Sequence, residues 1–158
     1  MNTPQDIAYQ VSALNDLIRI NNDRETGYKK RMDIMLDGDL AGLFLQFIYQ
    51  SRQNIYDLTQ CINLLGGKPA DGAILSGKFY HAWMDFKSTV SRQARQTMLD
   101  YCEYGEDVAK SAYQKVLDDK EIIWLNKKVA YLLKHHFDDL KMSYQLVKDL
   151  RDNSATAA

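Results

Sequence analysis

Proline and glycine are scarce in this chain, two and eight among 158 residues. Both interrupt regular structure, so their scarcity excludes a loop-rich fold and leaves room for long unbroken helices. Cysteine is scarcer for its purpose. Cys61 and Cys102 lie far apart with no Cys-x-x-Cys pair, which excludes a disulfide framework and a zinc knuckle. Each sits among apolar residues at helical spacing and reads as a small buried hydrophobe in a reducing compartment. An excess of one charge is missing too. Twenty basic against 21 acidic residues give a net charge of −1, which excludes the strongly basic face of a nucleic-acid binder. The densest basic group, Arg24 with Lys29, Lys30 and Arg31, is interrupted by acids and reads as a solvated helix face. No apolar run approaches the roughly 20 residues that span a bilayer. The first residues, Met1 to Asp6, lack the basic and apolar regions of a signal peptide. The expected setting is therefore cytoplasmic, with neither membrane nor nucleic acid as partner.

What remains is an ordinary globular balance, 46% hydrophobic and 26% charged. The length suits one domain, expected over residues 1–152, with a small polar disordered tail at 153–158. Thr3, Pro4 and Asp6 form a helix start with a capping-box acid. A stripe follows at Ile7, Val11, Leu14, Ile18, Asn21, Glu25, Tyr28, Met32 and Met35, whose alternating steps of four and three keep one helix face toward a partner. Asp37-Gly38-Asp39 ends this helix and offers caps for the next. The second helix carries Leu40, Phe44, Ile48, Ser51, Ile55, Leu58, Ile62 and Leu65, and stops at Gly66-Gly67. So short a connection requires an antiparallel hairpin.

Residues 66–76 are the one extended loop. Helical spacing resumes at Phe79, Trp83, Phe86 and Val90, and continues through Thr97, Tyr101, Val108, Ala112 and Val116. A single helix of that length, about 60 Å, would overhang its partners. A break is therefore expected near Ser91, with residues 74–90 as a crossover helix and 92–118 as the third bundle helix. The fourth helix is expected to start near Asp119, with Ile122, Val129, Leu133, His136, Leu140, Val147 and Leu150 inward. The fold class is all-α: a ferritin-like four-helix bundle of two antiparallel hairpins with a partly helical crossover.

Several signatures occur in one order: Leu14-Asn15-Asp16-Leu17-Ile18, Asp23 with Gly27-Tyr28, Asp57-Leu58, Leu65-Gly66-Gly67-x-Pro69, Trp83-Met84-Asp85-Phe86-Lys87, and Cys102-Glu103-Tyr104-Gly105-Glu106-Asp107. Over residues 10 to 152 the chain resembles a bacterial family of ferritin-like bundles with no assigned function. The resemblance implies the bundle and, by kinship of fold, a place in stress response. The chain departs from the family pattern at Asp57, Tyr80-His81 and Ser143-Tyr144, where many members carry glutamate, His-Arg and His-Asp.

A carboxylate-bridged metal pair in such a bundle uses Glu-x-x-His, because residues three apart share a helix face. The chain contains no Glu-x-x-His. A degenerate ligand set for iron, manganese or zinc remains: Glu25, Asp57, Glu103, Asp107, His136 and Asp139. Against it, Glu106 and Asp107 read equally as a solvated face beside Gly105. His136 reads as a buried histidine bonded to Tyr28, Tyr101 or Glu25. The ten tyrosines read as rim residues with apolar bodies inside and hydroxyls in water. No nucleophile elbow, phosphate loop or Cys-His arrangement exists.

Three functions follow. The first is a non-catalytic bundle acting by self-association, as a dimer, or through a protein partner, with Tyr49, Tyr56 or Trp124 in an exposed patch. The second is a metal-binding relative with oxidase or storage activity. The third is a small-ligand pocket near Trp83 or Tyr101.

Overall fold

A computed structural model describes residues 2–32, 37–71 and 92–156; the side chains at 92, 93, 123–125, 155 and 156 are outside that description. The described chain is all-helical, with five helices and no strand: α1 Pro4–Met32, α2 Gly38–Leu64, α3 Arg92–Asp118, α4 Lys120–Leu125 and α5 Lys127–Thr156. None is long and apolar enough to cross a membrane. The expected crossover helix at 74–90, the break near Ser91 and Trp83 lie outside the described residues.

Local chemistry sets the helix ends. The Asp6 amide donates to Thr3 Oγ1 at 3.1 Å and the Thr3 amide to Asp6 Oδ2 at 2.8 Å, a reciprocal cap that orders the first turn of α1. Asp37 sits at the N-cap of α2 but makes no side-chain cap bond. Its carboxylate instead accepts from Arg95 Nη1 at 2.7 Å, and Asp39 accepts from Nη2 of the same arginine at 2.7 Å. The capping expected of Asp37 is thus replaced by a tie to α3. At the other end of α2 the Gly67 amide reaches back to the Ile62 carbonyl at 2.9 Å, with Gly66 at φ +78°. That left-handed step is cheap only for glycine and closes the helix.

The expected fourth helix is two helices. Asp119 caps α4, accepting from the Glu121 and Ile122 amides. Asn126 then caps α5, its Oδ1 accepting from the Lys128 and Val129 amides at 3.0 and 3.3 Å. Asparagine competes with helical backbone for its own hydrogen bonds, and here that competition wins. The last helix runs past residue 152 to Thr156, beyond the boundary where a tail was expected.

The long helices pair as two antiparallel hairpins, α1 with α2 and α3 with α5. Cross-links fix the directions. On α2, Asn54 meets Asn21 and Ser51 meets Arg24 of α1. On α5, His136 meets Tyr113 and Tyr144 meets Glu103 of α3. Between hairpins, Arg24 and Asn21 of α1 meet Glu106 and Tyr113 of α3. That also makes α1 and α3 antiparallel, so α2 and α3 run in the same direction. The core between the hairpins includes Leu14, Leu17, Ile18, Tyr28, Phe44, Leu58, Ile62, Leu99, Cys102, Leu133, Leu140 and Val147. Each follows the three-four spacing that the sequence displays.

Candidate functional site

Polar side chains cross the middle of this apolar core. Arg24 and Glu106 are both 0% exposed and form a two-pronged ion pair, Nε to Oε2 at 2.7 Å and Nη2 to Oε1 at 2.6 Å. Nη1 donates to Ser51 Oγ at 3.0 Å and to the Phe47 carbonyl at 3.3 Å. The guanidinium also lies 4.9 Å from the Phe47 ring centre and 5.8 Å from that of Tyr28. Burial opposes its charge, but the Glu106 carboxylate outweighs burial and holds the arginine above its ordinary pKa. The pair locks α1 to α2 and α3 at once.

One to two turns along, a second chain of hydrogen bonds connects all four long helices. Asn54 Nδ2 donates to Asn21 Oδ1 at 3.1 Å, and Asn21 Nδ2 donates to Tyr113 Oη at 3.0 Å and to the Leu17 carbonyl at 2.8 Å. Tyr113 Oη lies 3.0 Å from His136 Nδ1, and His136 Nε2 lies 2.9 Å from Asp57 Oδ2. The Leu17 carbonyl can only accept, which orients the Asn21 amide. The Tyr113 hydroxyl must then donate to Nδ1, leaving the imidazole proton on Nε2 for the carboxylate. Every member is satisfied with a neutral histidine. A second ring proton would face the phenol proton, and burial already pushes the His136 pKa down. Tyr113 is held well above its usual pKa, chiefly by burial.

The network surfaces in a groove of about 570 Å³ between α2 and α5. Asp57 and His136 stand at one end, with Asp139 and the exposed His135 beside them. Tyr49, Met142 and Leu146 line the other end and project into solvent. The groove exists because α2 and α5 pack far less closely than the two helices within either hairpin.

Of the six metal candidates, two meet: Asp57 and His136. Asp139 lines the same groove. The others lie apart, each committed to a cation. Glu25 pairs with Arg52 at 2.6 Å and Lys29 at 2.7 Å. Burial alone would raise its pKa, but those two cations hold it below the ordinary value. Glu103 pairs with Arg151 and accepts from Tyr144 at 3.2 Å. Asp107 is exposed beside Lys110 at 3.4 Å. This arrangement does not fit a shared ion, and among the described residues no three His, Cys, Asp or Glu side chains are placed to hold one.

Two readings of charge are corrected. Arg24 belongs to the core and not to a solvated basic face, while Glu25, one residue on, takes the rim. Glu106 is likewise buried, and only Asp107 is solvated. His136 finds Tyr113 and Asp57, in place of Tyr28, Tyr101 or Glu25. The residues missed were Arg24, Glu106, Tyr113, Asn54 and Ser51 as partners across helices. A signal existed: Asn21-Arg24-Tyr28 and Cys102-Glu106-Ala109-Tyr113 place each charge on a buried stripe at steps of three and four. One further core acid has no such partner. Asp23 is 1% exposed, neither oxygen is hydrogen-bonded, and burial raises its pKa to about 6.

A family model described as "Domain of unknown function (DUF2383)" matches residues 10–119, more than two thirds of the chain. The chain belongs to this family. The match covers α1 from Gln10 onward, all of α2 and α3, and both partners of the buried ion pair, and no curated protein matches the chain. Family membership therefore assigns no activity, and the description itself records none.

Proposed function

We propose that this chain is a ferritin-like bundle that does no chemistry of its own and works by associating with a second copy of itself. The ferritin-like reading is supported by the parallel course of α2 and α3 between two antiparallel hairpins, the pattern of bundles with one long crossover. The association reading is carried by one observation. Large apolar side chains stand in solvent on α2 and α5, namely Leu45, Tyr49 and Tyr56 on α2 and Met142 and Leu146 on α5. Tyr49, Met142 and Leu146 meet along one groove, an apolar surface of the kind that marks an interaction site. A net charge of −1 leaves little repulsion between copies.

The side chains that resemble catalytic groups support the same reading. His136, Tyr113 and Asp57 satisfy one another, and Arg24 with Glu106 has no opening to solvent. The alternative of a metal-binding oxidase or storage protein needs carboxylates that are here committed to Arg52, Arg151 and Lys110. Light scattering on column-separated protein tests the proposal. The wild type is expected at twice 18.2 kDa, and Leu45→Glu with Met142→Glu at the monomer mass with unchanged helicity. A wild type that elutes as a monomer at every loading removes the reading.

A further inference from the structure

The outer face of α2 is unusual for a solvated helix. From Gly42 to Gln60 its exposed residues are Gly42, Leu45, Gln46, Tyr49, Arg52, Gln53, Tyr56 and Gln60, with one charge among eight. That charge, Arg52, is neutralised within its own copy by Glu25 at 2.6 Å. Tyrosine enrichment with depletion of charge is the composition of an interface centre and not of a free surface. The two tyrosines are 66% and 60% exposed, so the bundle itself makes little use of them.

The same residues repeat every seven positions. Gly42, Tyr49, Tyr56 and the exposed Asn63 form one row, and Gln46, Gln53 and Gln60 form a second. A seven-residue period keeps one face of a helix turned toward a neighbouring helix over several turns. Among the described residues no helix packs across this face. The rows span Gly42 to Asn63, about 30 Å of helix. They are also close to symmetric about their midpoint near Gln53. Reversing the helix about position 52.5 sets Tyr49 on Tyr56 and Gly42 on Asn63, and reversing it half a position away, about Gln53, sets Gln46 on Gln60 and Gln53 on Gln53. A surface that matches its own reversal is what a two-fold contact requires.

We infer that two copies dock antiparallel along α2, about a two-fold axis near Gln53, with Tyr49 of each copy packed on Tyr56 of the other and the glutamines paired along the seam. The inference rests on the self-association reading and specifies where and in which register it occurs. Aromatic pairs at such contacts add to the apolar burial, and the glutamine amides supply both donor and acceptor across the axis. Met142 and Leu146, at the far wall of the adjoining groove, flank the seam.

The test uses full-length Tyr49→Lys and Tyr56→Glu in sedimentation velocity, each alone and in an equimolar mixture. Both positions are exposed, so circular dichroism should show an unchanged fold. The wild type is expected to dimerise, and each variant alone to dimerise at least about tenfold more weakly, about 1.4 kcal/mol by the standard conversion. The mixture is expected to recover a dimer, because one lysine then faces one glutamate while the second tyrosine pair stays intact. A wild-type dimer that either variant leaves unchanged, or a mixture that fails to recover, overturns the α2 seam and leaves self-association standing. A wild type that stays monomeric up to millimolar concentration overturns both.

Discussion

Removing Arg24 should damage the fold more than removing almost any other side chain, and removing Glu106 with it should repair most of the damage. Both groups are 0% exposed, and the guanidinium donates to both Glu106 oxygens, Ser51 and the Phe47 carbonyl. In Arg24→Met the Glu106 carboxylate keeps its burial and loses both strong bonds. A charge stranded in that way costs about 3–5 kcal/mol. Glu106→Leu strands the arginine and should cost a similar amount, eased slightly by Ser51 and Phe47. The double variant has no charge to strand. It leaves Ser51 bonded to the Phe47 carbonyl at 2.8 Å and should lie within about 1–2 kcal/mol of wild type, since apolar replacements of buried ion pairs are often near neutral. The coupling energy should therefore exceed about 3 kcal/mol. Equilibrium urea unfolding of the four proteins at pH 7 measures it, with each single variant melting roughly 6–20 °C lower. Additive effects, or single variants costing under about 1 kcal/mol, would falsify the description of this pair as the sealed centre of the bundle.

Three further outcomes follow from the buried groups. Asp23, whose pKa rises from 3.8 unfolded to about 6 folded, weakens the fold as pH climbs through that window. Asp23→Asn should therefore stabilise at pH 7 by up to about 3 kcal/mol, with the gain gone near pH 4; a flat difference across pH in urea melts would contradict this. His136 has a folded pKa below its ordinary 6.5, so its contribution is complete above pH 6.5 and declines as pH falls below it, by at most about 1.4 kcal/mol per unit. His136→Gln should flatten that part of the stability profile, and an unchanged slope would refute the neutral assignment. A Cβ at Gly67 would fall 2.6 and 2.8 Å from the two Val11 methyls. Gly67→Ala should cost about 1–3 kcal/mol by overpacking, with Val11→Ala recovering part of it in the double variant.

Much of the fold is legible from spacing alone. The stripes on residues 7–32, 40–62 and 122–150 mark the faces that α1, α2, α4 and α5 bury, because burial imposes the helical period directly. On α3 the expected row Thr97, Tyr101, Val108 and Ala112 is only half-buried, and the buried row lies one position on, at Met98, Cys102, Ala109 and Tyr113. Glycine chemistry placed the end of α2 for the same local reason. The break at Asn126 was missed because asparagine is tolerated within helices, and only its two bonds to the Lys128 and Val129 amides make it a cap. The polar centre was harder. Composition sends charges outward, and Arg24 lies among other basic residues. Its partner Glu106 is 82 positions away on another helix, so no local pattern announces the pair. Choosing Glu25 over Arg24 as the inward residue is a rotation of one position, within the freedom that a mixed stripe allows. His136 was placed inward correctly. Its partners Tyr113 and Asp57 depend on how α3 and α2 rotate against α5, which helical spacing does not encode.

Self-association is the claim on which the functional reading stands, and sedimentation velocity of the untagged wild type over a hundredfold dilution series tests it most directly. The account predicts a species of twice 18.2 kDa at the upper concentrations, passing to monomer on dilution. A single 18.2 kDa species throughout would contradict it and leave the exposed tyrosines of α2 without a role.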